Sequence, residues 1–334
     1  MRVLLRADAG VVQGTGHVMR CMTLAEELLA RGHHVDLMTA PIGVEWLARV
    51  VRESGVGVIE VGQDRVPREE IDSRHPDWVV VDSYRIPAAE LSSLAETIPL
   101  LAVVDGDDRG IDATLYLDQN LGAESLARRP FVADRLLAGA SFALVRGDVL
   151  RARREQPWHF RSHEPRLLAF MGGTDPTGSI IPLAQVLAAF NGSLETTIVA
   201  PGRFHEALRG IIDADILLPT PDLPRYLGEA DLVVSAAGTS AWDVCALGLP
   251  ALFVAVVDNQ VRSLAEAVAR GVALGLDAVD EGADAFARAA GPLSQLVGDE
   301  SLRERLSRAA TTEFDGLGAR RVVDRLEVGP GPLF

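Results

Sequence analysis

The chain has 334 residues and no lysine, so all 32 of its Lys and Arg residues are arginines. Without lysine, the chain cannot form a Schiff base with a substrate, nor build a phosphate-binding P-loop, which requires one. Only two cysteines are present, Cys21 and Cys245, and both fall in segments predicted to be helical. A disulfide framework is therefore not expected, and we predict a protein of the reducing cytoplasm.

Long hydrophobic runs and an excess of positive charge are also missing. No apolar run reaches the ~18–20 residues that a membrane span needs, and the early charges of the N-terminus disfavour a signal peptide. The net charge is −15, and residues 1–150 carry 15 Arg against 23 Asp and Glu. Because neither half offers a basic surface, we expect no nucleic-acid partner and no insertion into a membrane.

Short apolar segments rich in Val and Leu alternate with helical patterns along the whole chain. Such segments are typical of parallel strands buried between two layers of helices. The predicted strands are Val3–Leu5, Val35–Met38, Val56–Val61, Trp78–Val81, Leu100–Val104, Leu115–Leu117, Leu167–Met171, Thr196–Ala200, Ile216–Leu218, Leu232–Ser235 and Ala251–Val257. The predicted fold class is therefore α/β, with two doubly wound, Rossmann-like domains facing a cleft.

The two series of strands are separated by a segment without periodicity. Residues 151–165 are rich in Arg and contain Pro157 and Pro165, a composition typical of a linker. We predict an N-terminal domain over 1–150 and a nucleotide-binding domain over 166–334. Ligands of open α/β folds bind at the carboxyl ends of the strands, so a ligand is expected in the cleft.

The first loop reads Gly14-Thr15-Gly16-His17 and leads into a helix. The two glycines let the backbone approach a ligand, although Met19 stands where a dinucleotide fingerprint has its third glycine. His17 falls in the first helical turn, where the helix dipole disfavours an imidazolium. A neutral imidazole there can take a proton from water or from a sugar hydroxyl. The structural alternative is a histidine that only caps the helix.

Three loops of the second half also follow predicted strands and are suited to a phosphate or a sugar. The candidate binding residues are Gly173 and Thr174 in the first loop, Gly238, Thr239, Ser240 and Asp243 in the second, and Asn259 and Gln260 in the third. Each has a structural alternative as a helix cap. Thr174 or Asp175 suits a cap, and the spacing of Ser240 and Asp243 is that of a capping box. Asp243 could instead accept hydrogen bonds from a ribose diol.

No set of residues forms a convincing metal site. Asp105, Asp107 and Asp108 lie together but precede Arg109, and we interpret them as a solvated acidic loop. We therefore predict neither a metal nor a cofactor.

Several motifs occur in one order over most of residues 1–260. They are Arg6-Ala7-Asp8, Gly14-Thr15-Gly16-His17-Val18-Met19-Arg20-Cys21, Val81-Asp82-Ser83-Tyr84, Leu117-Asp118-Gln119-Asn120-Leu121-Gly122, Gly172-Gly173-Thr174-Asp175-Pro176, and Ala237-Gly238-Thr239-Ser240 through Gly248-Leu249-Pro250 to Asn259-Gln260. This set resembles the UDP-sugar hydrolase of pseudaminic acid biosynthesis and the related spore-coat polysaccharide proteins, which belong to the glycosyltransferase-B group. The stretch Gly14–Cys21 is specific to the hydrolase branch, whereas the second-half pattern marks the larger group.

The resemblance implies a glycosyltransferase-B fold, no metal requirement, and a UDP-sugar held mainly by the second domain. It implies a water nucleophile activated by His17, help from Tyr84 near the sugar, and substrate contacts from Gly14, Gly16 and Arg20. Two departures stand out. Asp243 occupies the place where the family usually has a glutamate at the ribose. The segment 103–109 follows the family pattern only loosely.

The predicted function is the hydrolysis of a UDP-activated amino or deoxy sugar to UDP and free sugar, with inversion at the anomeric carbon. A diphosphate is a good leaving group, so the demands on the enzyme are a base for water and stabilisation of the departing charge. The main alternative is a metal-independent inverting glycosyltransferase, in which His17 activates an acceptor hydroxyl. Further alternatives are a non-catalytic nucleotide-sugar-binding protein and a sugar-nucleotide epimerase, which would need additional acid–base groups.

Overall fold

The protein divides into two compact units in a computed structural model that describes residues 1–10, 13–128, 135–155, 164–329 and 331. One unit contains Met1–Leu144 together with Gly316–Phe334, and the other contains Val145–Asp315. Each unit contains one sheet in which all paired strands of the described residues are parallel.

The first unit is a doubly wound α/β domain. Its strands are β1 (Arg2–Ala7), β2 (His34–Thr39), β3 (Gly57–Glu60), β4 (Trp78–Asp82), β5 (Leu100–Val103), β6 (Leu115–Asp118) and β7 (Leu136–Ala138). The helices between them are α1 (Gly16–Ala30), α2 (Glu45–Glu53), α3 (Arg68–Arg74) and α4 (Ala88–Ala95). The strand order is β3-β2-β1-β4-β5-β6-β7. The order reverses between β1 and β4, and ligands of open sheets bind at such a switch point.

The second unit repeats this organisation. Its strands are β8 (Arg166–Phe170), β9 (Glu195–Val199), β10 (Asp215–Leu217), β11 (Leu232–Ala236), β12 (Ala251–Ala255) and β13 (Leu274–Asp277). Its helices are α5 (Gly147–Glu155), α6 (Ile180–Ala188), α7 (His205–Ile211), α8 (Leu223–Glu229), α9 (Ser240–Leu247), α10 (Asp258–Ala269), α11 (Ala290–Gly298) and α12 (Glu300–Glu313). The strand order is β10-β9-β8-β11-β12-β13, so the switch point lies between β8 and β11.

The continuous apolar strands are explained by burial on both faces of each sheet. In β1, Val3 and Leu5 pack into a core that includes Leu24 of α1. Leu4, between them, belongs to the core on the opposite face, which includes Leu91 of α4. Successive side chains of a strand point to opposite faces, so both faces of a covered sheet require apolar residues.

The C-terminal helix packs against the first unit, which differs from the prediction of a second domain that runs to residue 334. In this helix, α13 (Gly318–Val328), the carbonyl of Leu326 accepts a 3.1 Å hydrogen bond from the buried indole of Trp78. A Cβ on Gly318 would come within 2.1 Å of the carbonyl oxygen of Ala143. The helix docks through contacts with residues far away in the sequence, which local periodicity does not reveal.

All eleven predicted strands are present, and β7 and β13 are additional to the prediction. Both are short, and β13 contains Gly275, which weakens a strand pattern. A Cβ on Gly275 would lie 2.5 Å from the side chain of Val268, so close packing favours glycine there. The predicted linker 151–165 also differs, because α5 continues to Glu155 and belongs to the second unit. Residues 156–163 of that linker lie outside the described part of the chain.

Candidate functional site

Polar side chains of the first unit meet at the carboxyl ends of β1, β4, β5 and β6. Asp82 is the last residue of β4 and Asp118 is the last residue of β6, while Asp105 follows β5 by two residues. His17 lies in the first turn of α1, directly after the loop that follows β1. The topology therefore brings together groups that are up to about 100 residues apart, at the switch point of the sheet.

His17 and Asp82 form a close pair. The Nδ1 atom of His17 lies 2.6 Å from Oδ1 of Asp82, whose side chain is 1% exposed, whereas the side chain of His17 is 13% exposed. Burial disfavours the carboxylate, but the charges of Arg20 and His17 outweigh burial and hold the pKa of Asp82 below its ordinary value. An ionised carboxylate only accepts hydrogen bonds, so Nδ1 of His17 carries the proton. In the neutral imidazole, Nε2 is then an unprotonated acceptor.

The capping alternative for His17 is not what the structure has. Thr15 is the N-cap residue of α1, and it makes no capping hydrogen bond with its side chain. The imidazole instead bonds to Asp82 of a different strand. The loop before it is closed by two backbone hydrogen bonds between Gly10 and Gly14, and Gly14 has a φ of 81°, a conformation that favours glycine. Val11 and Val12 of this loop lie outside the described residues.

Arg20 holds the Asp82 carboxylate from one side and Asp105 from the other. Its Nε and Nη2 atoms donate to Asp82 at 2.7 Å each, and its Nη1 donates to the two oxygens of Asp105 at 3.0 and 3.1 Å. Burial disfavours the guanidinium, but Asp105 and Asp82 outweigh it and raise the pKa of Arg20 above its ordinary value. Arg20 was predicted to contact the substrate. The structure has it 5% exposed and bonded to two carboxylates, which is the position of a residue that orients others.

Tyr84 and Asn120 complete the group around Asp105. The hydroxyl of Tyr84 donates to Oδ2 of Asp105, and the amide of Asn120 donates to Oδ1 of Asp105 at 2.6 Å and to Oδ1 of Asp118 at 2.9 Å. The ring of Tyr84 packs edge-on against the imidazole of His17, with ring centroids 4.8 Å apart. Burial and the nearby charge of Asp105 raise the pKa of Asp118 to about 6. The two predicted catalytic residues, His17 and Tyr84, are therefore in contact.

The first predicted loop of the second unit contains a helix cap. Asp175 accepts hydrogen bonds from the backbone N–H of Ser179 and of Ile180, both at 3.0 Å, at the start of α6. This is the structural alternative that the sequence offered for this loop. The backbone carbonyls of Thr174 and Asp175 accept from Arg203 at 2.5 and 2.7 Å, and Thr174 is 5% exposed. Gly173 follows Gly172, whose φ is 82° and whose missing Cβ would meet no atom within 4 Å.

The second predicted loop is not a capping box. Ser240 is the first residue of α9, and its N-cap residue, Thr239, makes no capping hydrogen bond with its side chain. Asp243 is 5% exposed and accepts a 3.2 Å hydrogen bond from the backbone N–H of Arg146 instead of turning back to the helix start. Burial raises the pKa of Asp243 to about 7, against the attraction of Arg146. Spacing alone favoured the cap, because the partner of Asp243 lies almost 100 residues earlier.

The second and third predicted loops of the second unit lie side by side. A Cβ on Gly238 would lie 3.4 Å from Nε2 of Gln260, and Oε1 of Gln260 accepts a 2.9 Å hydrogen bond from the N–H of Val256. Asn259 and Gln260 lie in the first turn of α10, directly after the strand next to β11. Small residues, hydroxyls and a helix start thus meet at the carboxyl ends of β11 and β12, beside the switch point, an arrangement suited to a phosphate.

Four functional candidates were given no role by the sequence: Asp82, Asp105, Asp118 and Asn120. Asp105 was interpreted as part of a solvated acidic loop, but its side chain is 7% exposed and bonded to Arg20. Its neighbours Asp107 and Asp108 accept hydrogen bonds from backbone N–H groups of the same loop. Within the described residues, no group of three His, Cys, Asp or Glu side chains is arranged to hold a metal ion.

No protein-family model matches the chain. It is 24% identical over 322 residues to the spore coat polysaccharide biosynthesis protein SpsG of Bacillus subtilis, covering 92% of this chain and 88% of that protein. It is 21% identical over 267 residues to the uncharacterized protein MJ1062 of Methanocaldococcus jannaschii. That alignment covers 75% of this chain and 54% of the archaeal protein, so the chain spans about half the length of this relative.

Solved glycosyltransferases share the fold. The spinosyn rhamnosyltransferase SpnG matches with a TM-score of 0.68 in its complex with thymidine diphosphate and 0.70 in its complex with spinosyn aglycone. The identities are 16% and 17%, and each match covers 98% of this chain and 100% of the transferase. The chain therefore has the glycosyltransferase-B fold, with two Rossmann-like domains, as predicted. Across the described residues, every helix is too short or too polar to cross a membrane.

Proposed function

We propose that this protein is a glycosyltransferase-like enzyme that breaks the glycosyl–phosphate bond of a nucleotide-sugar and passes the sugar to a hydroxyl group, with His17 as the base. The observation that carries the proposal is the 2.6 Å contact between Nδ1 of His17 and the buried carboxylate of Asp82. That contact fixes one tautomer of the imidazole and leaves Nε2 to accept a proton. The carboxylate also stabilises the imidazolium that forms after the proton transfer.

The surroundings of this pair fit general-base chemistry. Asp82 is the buried end of the pair and His17 the partly exposed end, so a proton donor can approach the imidazole from solvent. Arg20 balances the charge of Asp82 through two 2.7 Å hydrogen bonds, which keeps the carboxylate ionised while it is buried. Tyr84 packs against the imidazole and limits its movement. A base held in one orientation contributes more to the reaction than a mobile one.

For the nucleotide, we propose the loops at the switch point of the second unit. The start of α9, with Gly238, Thr239 and Ser240, offers backbone N–H groups and hydroxyls to a diphosphate. Gln260 lies beside Gly238 and adds an amide group. Asp243, predicted to accept hydrogen bonds from a ribose, is 5% exposed and bonded to the N–H of Arg146, so we propose no contact between it and the nucleotide. Uridine remains the predicted base, from the resemblance of the motifs, and no metal is needed for these contacts.

Transfer to an acceptor is favoured over hydrolysis by the comparisons. SpnG is named as a rhamnosyltransferase and was solved with an aglycone, and SpsG is named for polysaccharide biosynthesis. Hydrolysis to free sugar, the main prediction from sequence, depends on the stretch Gly14–Cys21 and is the second candidate. The two reactions share the donor and the base, and differ only in whether a sugar hydroxyl or water loses its proton to His17. A binding protein without catalysis would have no use for a base held by buried charges.

A donor panel with and without acceptors tests the proposal. Purified protein is incubated with UDP- and dTDP-linked sugars, first alone and then with simple sugar acceptors, and the nucleoside diphosphate and sugar products are separated by chromatography. Transfer predicts diphosphate release that depends on an acceptor and disappears in His17→Asn. Release of free sugar without an acceptor would identify the hydrolase. Binding of the nucleotide without any release, at every donor and acceptor, would contradict enzymatic activity.

A further inference from the structure

Tyr84 is held in an unusual way for a surface tyrosine. Its side chain is largely accessible, since the residue is 41% exposed, yet its hydroxyl donates to the carboxylate of Asp105, which is 7% exposed. Its ring also stands edge-on to the imidazole of His17, with an interplanar angle of 81°. An exposed aromatic side chain without such contacts would exchange between rotamers. The buried carboxylate therefore holds the hydroxyl end of the ring beside the base, while the guanidinium of Arg109 lies 5.9 Å from the ring centroid.

Asp105 is itself fixed from two further directions. The guanidinium of Arg20 donates to both of its oxygens, and the amide of Asn120 donates to Oδ1 at 2.6 Å. Asn120 is held in turn by Asp118. The three partners of Asp105, which are Arg20, Asn120 and Tyr84, are all donors, and its carboxylate accepts from each of them. Asp105 is thus a rigid acceptor at the end of β5, and the orientation of Tyr84 depends on it.

Asp8 shows what a purely structural carboxylate looks like in the same unit. Asp8 accepts from the guanidinium of Arg6 and from the backbone N–H groups of Ala40 and Asp64. These partners join strand ends and loops to one another. Asp105 differs because one of its four hydrogen bonds ends at an exposed aromatic residue that contacts the proposed base.

We propose that Asp105 is a positioning residue that holds Tyr84 against His17 and, by accepting the hydrogen bond of the phenol O–H, leaves the oxygen of Tyr84 as an acceptor toward the substrate. A phenol has one proton, and the bond to Asp105 uses it. The substrate group that meets Tyr84 is then a hydrogen-bond donor, such as a sugar hydroxyl or the N–H of an acylamino group. This step rests on the proposed function, because it names the chemistry of the sugar at the same site.

The hold on Tyr84 is measurable without any substrate. The chain has seven histidines, so the ring protons of His17 can be assigned by NMR through their loss in His17→Asn. The edge-on ring of Tyr84 shifts these resonances, and Tyr84→Leu gives their position without the ring. In Asp105→Ala, the resonances should move most of the way to the Tyr84→Leu position. Asp112→Asn, an exposed carboxylate of the same β5–β6 connection that pairs with Arg135, should leave them at the wild-type position. Unmoved resonances in a folded Asp105→Ala protein would overturn the proposal.

If Asp105→Ala does not fold, Tyr84→Phe is used instead. This variant removes the same hydrogen bond by removing the hydroxyl of Tyr84. It should also move the His17 resonances toward the Tyr84→Leu position, and unmoved resonances would again overturn the proposal. This readout does not depend on turnover. A protein that releases no nucleoside diphosphate but shows these shifts would count against the proposed function and not against the positioning role of Asp105.

Activity then tests whether the two residues act together. With a nucleotide-sugar donor, Tyr84→Phe should lower kcat/KM on the order of 10-fold, which corresponds to the loss of one hydrogen bond of ordinary strength. Because Asp105 acts through Tyr84, the losses in the two single variants should not multiply in the double variant. Asp112→Asn should keep wild-type kcat/KM. Losses that multiply fully would mean that Asp105 and Tyr84 act independently, contrary to the proposal.

Discussion

Replacing Asp82 with Asn is the change that tests the proposed base most directly. Oδ1 of Asp82 accepts from His17 and Arg20, and Oδ2 accepts from Arg20. Whichever way the new amide turns, its NH₂ group meets one N–H of Arg20. With the carbonyl toward His17, the bond from Nδ1 is kept, but the negative charge that stabilises the imidazolium is lost. With the NH₂ group toward His17, Nδ1 accepts, the imidazole proton moves to Nε2, and the substrate meets no acceptor. Either orientation impairs the base.

The expected magnitudes follow from the contacts that are lost. General-base catalysis contributes ~10²–10⁴-fold to a rate, and Asp82→Asn removes it while leaving the shape of the site almost unchanged. The kcat should therefore fall by ~10²–10⁴, which is about 3–5 kcal/mol of activation free energy. Breaking a buried ion pair by removing one partner costs about 3–5 kcal/mol of stability. Arg20 keeps its second partner, Asp105, so the lower end of that range is expected.

The assay measures release of nucleoside diphosphate from the donor, at protein concentrations and temperatures where denaturant unfolding shows each variant to be folded. Asp8→Asn is the matched control, since Asp8 is also buried, 3% exposed, and paired with an arginine at 2.6 and 2.8 Å. It should lose similar stability but less than ~10-fold in kcat, because Asp8 does not contact His17. A folded Asp82→Asn protein with wild-type kcat would refute the reasoning. Equal losses of kcat in the two variants would show that activity follows stability alone.

Three further predictions concern other parts of the protein. His17→Ala should lower kcat by ~10²–10⁴-fold with nucleotide affinity in calorimetry nearly unchanged, and an active His17→Asn enzyme would exclude the imidazole as the base. Activity should persist in EDTA, because helix starts and hydroxyls are proposed to hold the diphosphate, and a loss that Mg²⁺ restores would contradict this. Burial raises the pKa of Asp243 to about 7 from 3.8, so its contribution to stability is complete below about pH 4 and is lost as the pH rises through about 7. Asp243→Asn should remove most of that loss in urea unfolding at pH 5 and pH 8, and an unchanged pH dependence would mean that Asp243 is not the group responsible.

The fold was largely predictable because its strands are buried on both faces. A strand that is covered on both sides needs an unbroken apolar run, and such runs stand out in a sequence. The strand β7 has three residues and is followed at once by Gly139, and β13 contains Gly275, so neither produces such a run. The docking of α13 on the first unit was also not predictable, since it depends on contacts such as the one between Trp78 and Leu326.

The site was predictable where a motif is local and not where partners are distant. Gly14-Thr15-Gly16-His17 carries its signal within four residues, and the placement of His17 in the first turn of α1 followed from it. Asp175 caps α6 through residues four and five positions away, and it was one of two residues, with Thr174, that the sequence offered as a cap in place of a phosphate contact. Asp243 has its partner 97 residues away, so local spacing suggested a capping box that the structure does not have.

The carboxylates of the first unit show why the roles of residues with distant partners cannot be predicted from sequence. The roles of Asp82 and Asp105 are apparent only from their hydrogen bonds to Arg20, which is 62 residues from Asp82 and 85 residues from Asp105. A buried guanidinium needs one carboxylate to balance its charge, and Arg20 has two. Asp82 accepts a hydrogen bond from His17, and Asp105 accepts one from Tyr84. The two residues predicted from motifs to be catalytic are therefore the ends of one chain of hydrogen bonds with Arg20 at its centre, and this chain, rather than either motif, orients them toward each other.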